Sequence, residues 1–294
     1  MTNAADRSDL SLIIVNYNGN FWLKKVLETI HQVYLPQTKL KVEVLVVDNG
    51  STDSPAAVLK EFPRVKTFYT GQNLGFAGGN NVALRACRSR YGMLINSDIE
   101  FLPEDQSNLD KLVKYLEKNP TVGMIGPKVV LTNGQLDHAC HRGEPTPWAA
   151  VTYFTGLAKL FPRSRFFAQY DQTYKNLDEI HAVDAITGAA MLFPMAVVKQ
   201  VGLLDERFFL YAEDLDWCRR FRAAGYQVCY NPTVTIIHHK NKSGFENKDV
   251  QVRRKTNKFF WNTMRQYYDK YYPHSHYFFR TCLRTFLFIK KGGT

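Results

Sequence analysis

Glu213-Asp214-Leu215-Asp216 places three carboxylates within four residues. In the first turn of a helix the macrodipole stabilises such charge, and Asp214 is also placed to cap that turn. A carboxylate held beside a bound alcohol is a general base. Phe208, Phe209, Tyr211 and Trp217 flank the cluster with flat apolar surfaces suited to a sugar ring. The blander reading is a well-capped helix.

Three more polar clusters stand where apolar runs stop: Asn16-Tyr17-Asn18, Asp48-Asn49-Gly50-Ser51-Thr52-Asp53 and Asn96-Ser97-Asp98. Carboxylates there repel a phosphate unless a divalent cation or a base edge intervenes. Any one of them reads equally as an Asx-rich turn; recurrence at three strand ends favours a ligand site. Asn73-Leu74-Gly75-Phe76-Ala77-Gly78-Gly79-Asn80-Asn81 leads into a helix, where glycines permit close backbone approach and the N-terminus attracts an anion. Its spacing matches neither a dinucleotide-binding G-x-G-x-x-G nor a P-loop, which argues against nicotinamide and ATP. His238 closes the apolar run Val234-Thr235-Ile236-Ile237 and reads either as a metal ligand or as a hydrogen-bonded structural residue, with His239 beside it. Asp137-His138-Ala139-Cys140-His141 crowds zinc-type side chains together without a second half-site, which argues against structural zinc.

These residues need a frame that gathers strand ends. Ser11–Asn16, Val42–Asp48, Val65–Tyr69 and Tyr91–Ile95 read as buried strands, and Phe21–Val33, a helix opened by Ser54-Pro55, and Gly78–Arg90 as the helices between them. That alternation predicts an α/β fold, a doubly wound and mostly parallel sheet with flanking helices, whose ligand crevice lies beyond the carboxyl ends of the strands. Ser107–Lys118 carries one apolar helical face. Residues 133–183 hold no period and read as an irregular insertion. Ile186–Phe193, a helix Glu213–Ala224, and strands Gln227–Tyr230 and Thr233–Ile237 complete a domain spanning 1–250.

The chain has 294 residues and 45% hydrophobic content, enough for one large α/β domain. Five scattered cysteines, no leader-like opening and no apolar run near the ~20 residues of a membrane span point to a cytoplasmic protein. Of the net charge of +11, ten Lys or Arg against Asp269 alone fall in residues 251–294. Nucleic acid is therefore not the expected partner, because the rest of the chain is nearly neutral and carries carboxylates at its strand ends. In the tail Phe260, Met264, Tyr267, Tyr268 and Tyr271 form a helical stripe, and Phe278, Cys282, Phe286 and Ile289 form a second. Both suit an anionic membrane surface, and the first equally suits packing on the domain.

In their order and spacing, Val15–Asn18, Val46–Asp53, Asn73–Asn81, Asn96–Asp98, Ile186–Ala190, Glu213–Asp216 and Ile237–His239 resemble the family 2 glycosyltransferases of GT-A fold, in their rhamnosyltransferase-like branch. The resemblance covers about residues 10–245. It implies an inverting glycosyltransferase, which the basic tail would place at the inner face of the plasma membrane. The donor would be a nucleoside diphosphate sugar, dTDP- or UDP-linked and first of all L-rhamnosyl, and the acceptor a hydroxyl of a lipid-linked glycan or cell-surface polysaccharide. Carried over residue by residue, Asn16 and Asp48 contact base and ribose, and Asn73, Gly75, Gly79 and Asn80 border the nucleotide and its diphosphate. Asp98 matches the last acid of the D-x-D motif and, with His238, holds Mg²⁺ or Mn²⁺; Asp214 matches the catalytic base. Asn96 stands where the motif has its first acid, which removes a charge from that site. A sugar-nucleotide-binding module without turnover remains the alternative, and the acid at position 214 argues against it.

Overall fold

A computed structural model describes residues 7–240 and 250–273, and of 250–256 the backbone alone. Strands β1 (Leu10–Asn16), β2 (Val42–Asp48), β3 (Lys66–Tyr69) and β4 (Tyr91–Asn96) lie side by side in the order β3-β2-β1-β4, all parallel. Parallel strands are covered on both faces, and the unbroken apolar run of β1 meets that demand: Leu10, Leu12, Ile13 and Ile14 are fully buried. The connections carry α1 (Asn20–Thr29), α2 (Ala56–Lys60) and α3 (Gly75–Ala86).

The second half is mixed. It contains β5 (Ile99–Phe101), α4 (Asp110–Lys118), β6 (Val122–Leu131), α5 (Pro147–Thr155), α6 (Leu157–Leu160), β7 (His181–Val183), β8 (Ala190–Pro194), α7 (Met195–Val201), α8 (Glu213–Ala223) and β9 (Gln227–His238). β8 runs antiparallel between β4 and β6, β9 lies parallel to β6, and β7 and β5 pair antiparallel with β9. The expected parallel character thus holds for β3-β2-β1-β4 and for the β6–β9 pair, and β8, β7 and β5 break it, since an apolar run such as Ile186–Phe193 reads alike in either direction. β9 is one strand where two were expected. A register shift, from Asn231 opposite Pro127 to Thr235 opposite Lys128, absorbs Pro232, which cannot donate to a ladder.

Helix α3 starts three residues earlier than the spacing predicts, because the glycines belong to its packing. A Cβ at Gly79 would stand 2.9 Å from Val15 Cγ1 and 3.2 Å from Asn49 Nδ2, so glycine lets the helix lie close on β1 and β2.

A last helix, α9 (Val250–Tyr271), begins at the expected boundary and docks on the domain. Tyr267 and Tyr268 are buried, and their hydroxyls donate to Glu144 Oε1 (2.8 Å) and the Pro145 carbonyl (2.7 Å). The first aromatic stripe therefore turns towards protein. The second, Phe278 to Ile289, lies outside the described residues. Among the described residues no helix is long and apolar enough to cross a membrane.

Candidate active site

Asn16 and Asp48 end neighbouring strands and sit directly opposite in register. Both are buried, and Asn16 Oδ1, Asp48 Oδ1 and Asn20 Oδ1 have no hydrogen-bond donor. Leaving a buried acceptor unpaired costs about 1–3 kcal/mol, which a ligand bringing N–H or O–H donors to Asn16 and Asp48 would recover. Asn49, one residue on, anchors the glycine-rich segment: its Nδ2 donates to the Gly75 carbonyl (3.0 Å) and to Asn73 Oδ1 (3.2 Å), and its Oδ1 accepts from Leu74 N (3.0 Å). Asn73 Oδ1 also accepts from Gly75 N at 2.8 Å, which shapes the turn before α3. Gly75 has φ +75°, and a Cβ there would fall 2.3 Å from the Phe209 carbonyl, so only glycine fits. Gly79 and Asn80 lie inside α3, and Asn80 Nδ2 donates back to the Phe76 carbonyl (2.9 Å).

β5 pairs with the end of β9, Ile99 opposite His238, and this brings Asp98 to the histidine. His238 Nε2 lies 3.2 Å from Asp98 Oδ1, and its Nδ1 lies 3.0 Å from Asp137 Oδ2. Burial opposes a charge on the ring, but the hydrogen bonds to Asp137 and Asp98 outweigh it and raise the pKa to about 9. Asp137, which also accepts from Lys240 Nζ (2.9 Å), is itself held well below the usual carboxylate range: burial would raise it, and its bonds to His238 and Lys240 prevail. An imidazole whose second nitrogen is fixed by a carboxylate is the usual arrangement behind a metal ligand. Asp98 Oδ1 and His238 Nε2 face each other, so Mg²⁺ or Mn²⁺ held by them would take the place of the Nε2 proton, with phosphate oxygens and water completing its sphere. His239 turns elsewhere, with Nε2 2.5 Å from Glu100 Oε2 and its ring over Trp22. Within the zinc-like cluster, His141 Nε2 meets His181 Nε2 at 2.6 Å, and burial lowers the His141 pKa to about 4.

The three carboxylates of α8 have three environments. Asp216 is fully buried and bonded to Arg220, Lys270 and Tyr271. Glu213 is buried with Oε2 unpaired; burial first, then the charge of Asp214, pushes its pKa up to about 8. Asp214 is buried, forms an ion pair with Arg142, and accepts from Gly188 N (3.2 Å) and Leu215 N (2.7 Å). It does not cap α8. The N-cap is Ala212, which with Tyr211 takes a left-handed backbone, φ 64° and 72°. Two such residues in succession store strain of order 1–3 kcal/mol each. Two of the aromatic neighbours, Phe208 and Trp217, are buried and offer no surface to a sugar, while Phe209, which stacks on Phe259, and Tyr211, which meets Phe260 edge to face, are half-buried.

Arg142 and Glu144 are the residues that sequence reasoning missed. Arg142 is the counter-ion of Asp214, and Glu144 ties Arg219, Arg222, Tyr267 and Tyr272 together. Both lie in the aperiodic insertion, where no spacing rule marks them. Arg142 also lines a cavity of about 670 Å³ together with Asp137, Tyr153, Tyr170, Asp171 and Lys240, most of whose lining comes from the insertion.

The family profile described as "Glycosyl transferase family 2" matches residues 11–193, more than half of the chain, and "Glycosyl transferase family group 2" matches 111–293. The chain is a family 2 glycosyltransferase. It is 27% identical over 246 residues to the N-acetylglucosaminyl-diphospho-decaprenol L-rhamnosyltransferase of Mycobacterium tuberculosis, covering 80% of this chain and 77% of the relative. Rhamnosyltransferase WbbL of Escherichia coli is 22% identical over 246 residues, covering 80% and 86%. Among solved structures, the mannosyltransferase PcManGT of Pyrobaculum calidifontis, in complex with GDP-Man and Mn²⁺, superposes with TM-score 0.56 at 19% identity. The alignment covers 81% of this glycosyltransferase and 59% of that chain, so likeness there is of fold.

Proposed function

We propose that this glycosyltransferase moves a hexosyl residue, first of all L-rhamnosyl, from a dTDP- or UDP-sugar to a hydroxyl of a lipid-linked glycan or cell-surface polysaccharide, with inversion. The rhamnosyl choice follows the names of the relatives from Mycobacterium tuberculosis and Escherichia coli. The observation that carries the chemistry is the difference among the three α8 carboxylates: Asp216 is fully buried in ion pairs, burial and the charge of Asp214 push the Glu213 pKa up to about 8, and Asp214, ion-paired with Arg142, keeps 13% of its side chain exposed. Single displacement needs one base and no enzyme nucleophile. Asp214 takes the proton from the acceptor hydroxyl, while Arg142 and Gly188 N hold the carboxylate in place. Asn16 and Asp48 accept hydrogen bonds from base and ribose, Asn73 and Gly75 shape the turn at the nucleotide, and Gly79 and Asn80 pack α3 behind it. Asp98 and His238 would hold the divalent cation, which when bound supplies positive charge against the departing diphosphate. The work would take place at the cytoplasmic face of a membrane.

Release of nucleoside diphosphate across a panel of purified sugar nucleotides, with the product anomer read by NMR, tests this directly. Turnover with one donor and inverted configuration is expected; a product of retained configuration would exclude single displacement.

A further inference from the structure

Segment 147–170 contains no acid, three cations in Lys159, Arg163 and Arg165, and a dense set of aromatic residues. The fold turns them outward. From Lys159 to Arg163 every residue is exposed, as are Arg165 and Phe166. Leu160 is 69% exposed, Phe166 58%, Phe161 46% and Trp148 37%. They are held in place: Trp148 Nε1 donates to the Phe166 carbonyl (2.9 Å), Trp148 meets Phe166 at 4.9 Å between ring centres, and Phe161 stacks on Phe167 at 5.0 Å. The result is a preformed apolar knuckle with cations interleaved. Contiguous exposed apolar surface of this kind marks an interaction site.

We propose that this knuckle, built from α5, α6 and residues 161–167, inserts into the headgroup region of an anionic bilayer. Leucine and aromatic side chains seat at the boundary of the acyl chains, while Lys159, Arg163 and Arg165 meet lipid phosphates; that is the composition of surfaces lying in a membrane interface. A second copy of the chain fits less well. A two-fold contact sets a patch against itself, and this one would oppose six cations with no acid from the segment to pair them.

The location serves the site. Tyr153, on the same helix as Trp148, lines the cavity that also holds Arg142, the partner of Asp214. A bilayer beneath the knuckle would present a lipid-linked hydroxyl beside the base. That use rests on the proposed lipid-linked acceptor, whereas vesicle binding stands apart from it.

The test uses the full chain and vesicles of phosphatidylglycerol or of phosphatidylcholine. Leu160→Ser with Phe161→Ser and Phe166→Ser should lower affinity for phosphatidylglycerol vesicles at least about tenfold, and Arg163→Glu with Arg165→Glu about 30-fold or more. Both variants should keep wild-type donor affinity, since these side chains lie outside the site, and the arginine variant should also keep the wild-type melting temperature. Lipids brominated near the glycerol should quench tryptophan fluorescence in the wild type and much less in Trp148→Phe. Equal vesicle binding by the serine variant, quenching indifferent to Trp148→Phe, or a dimer that the serine variant dissociates would each overturn the proposal. Loss of donor binding in the wild type itself would sink the transferase reading and leave the vesicle result standing.

Discussion

Arg142 closes an ion pair on Asp214 from 72 residues away in the chain, and both side chains are mostly buried. Burial makes the pair interdependent: removing one member strands the charge of the other, at a cost of about 3–5 kcal/mol. Arg142→Met should therefore destabilise the fold by an amount in that range and reduce turnover. Denaturant melts beside steady-state rates check it, and wild-type values in both would deny Arg142 its role.

For Asp214→Asn, turnover should drop about 10²- to 10⁴-fold with donor affinity unchanged, because a general base acts on the acceptor alone. Both Asp214→Asn and Asp216→Asn should lower the melting temperature, because each strands a buried cation, but Asp216→Asn should have less effect on turnover per folded molecule. If the two exchanged profiles, the base would be Asp216.

Asp98→Ala should abolish the metal-dependent part of donor binding, and Asp137→Ala should weaken metal affinity about 10- to 100-fold by freeing the His238 ring. Calorimetry with Mn²⁺ and with chelator reads both. Identical donor affinity in all four combinations would remove Asp98 and His238 from the metal site.

Glu213 carries a pH signature. Its folded pKa of about 8 lies above its ordinary value of 4.5, so between those limits the folded state holds a proton that the unfolded chain releases. The stability this group contributes is fully present below pH 4.5 and is lost as pH rises through about 8. Melting temperature should fall from pH 6 to pH 8.5, and Glu213→Gln should flatten that slope. Parallel curves for wild type and variant would contradict the assignment.

Legibility in the sequence followed the range of the forces involved. Asn16, Asp48 and Asp98 were readable because an apolar run ending in a polar side chain reports a strand end locally. The start of α3 was misplaced since Gly75, Gly78 and Gly79 look like a loop until Val15 and Asn49 are seen to press against the helix. Arg142 carried no signal at all; its meaning lies in Asp214, and only the fold brings them together. The stripe through Tyr267 and Tyr271 was plain, yet periodicity tells which face is apolar and not what it faces. Phe208 and Trp217 failed as sugar platforms for the same reason.

The docking of α9 bears on how the enzyme is made. Asp216 takes its outer partners, Lys270 and Tyr271, from 54 and 55 residues downstream, and Glu144 waits for Tyr267 and Tyr272. During synthesis the sheet can be completed once β9 has left the ribosome, but α8 is then still without these partners. Competence for transfer should thus be acquired after the nucleotide-facing half has formed, and a nascent chain stalled with β9 outside the ribosome and α9 still within it should bind donor before it can use it.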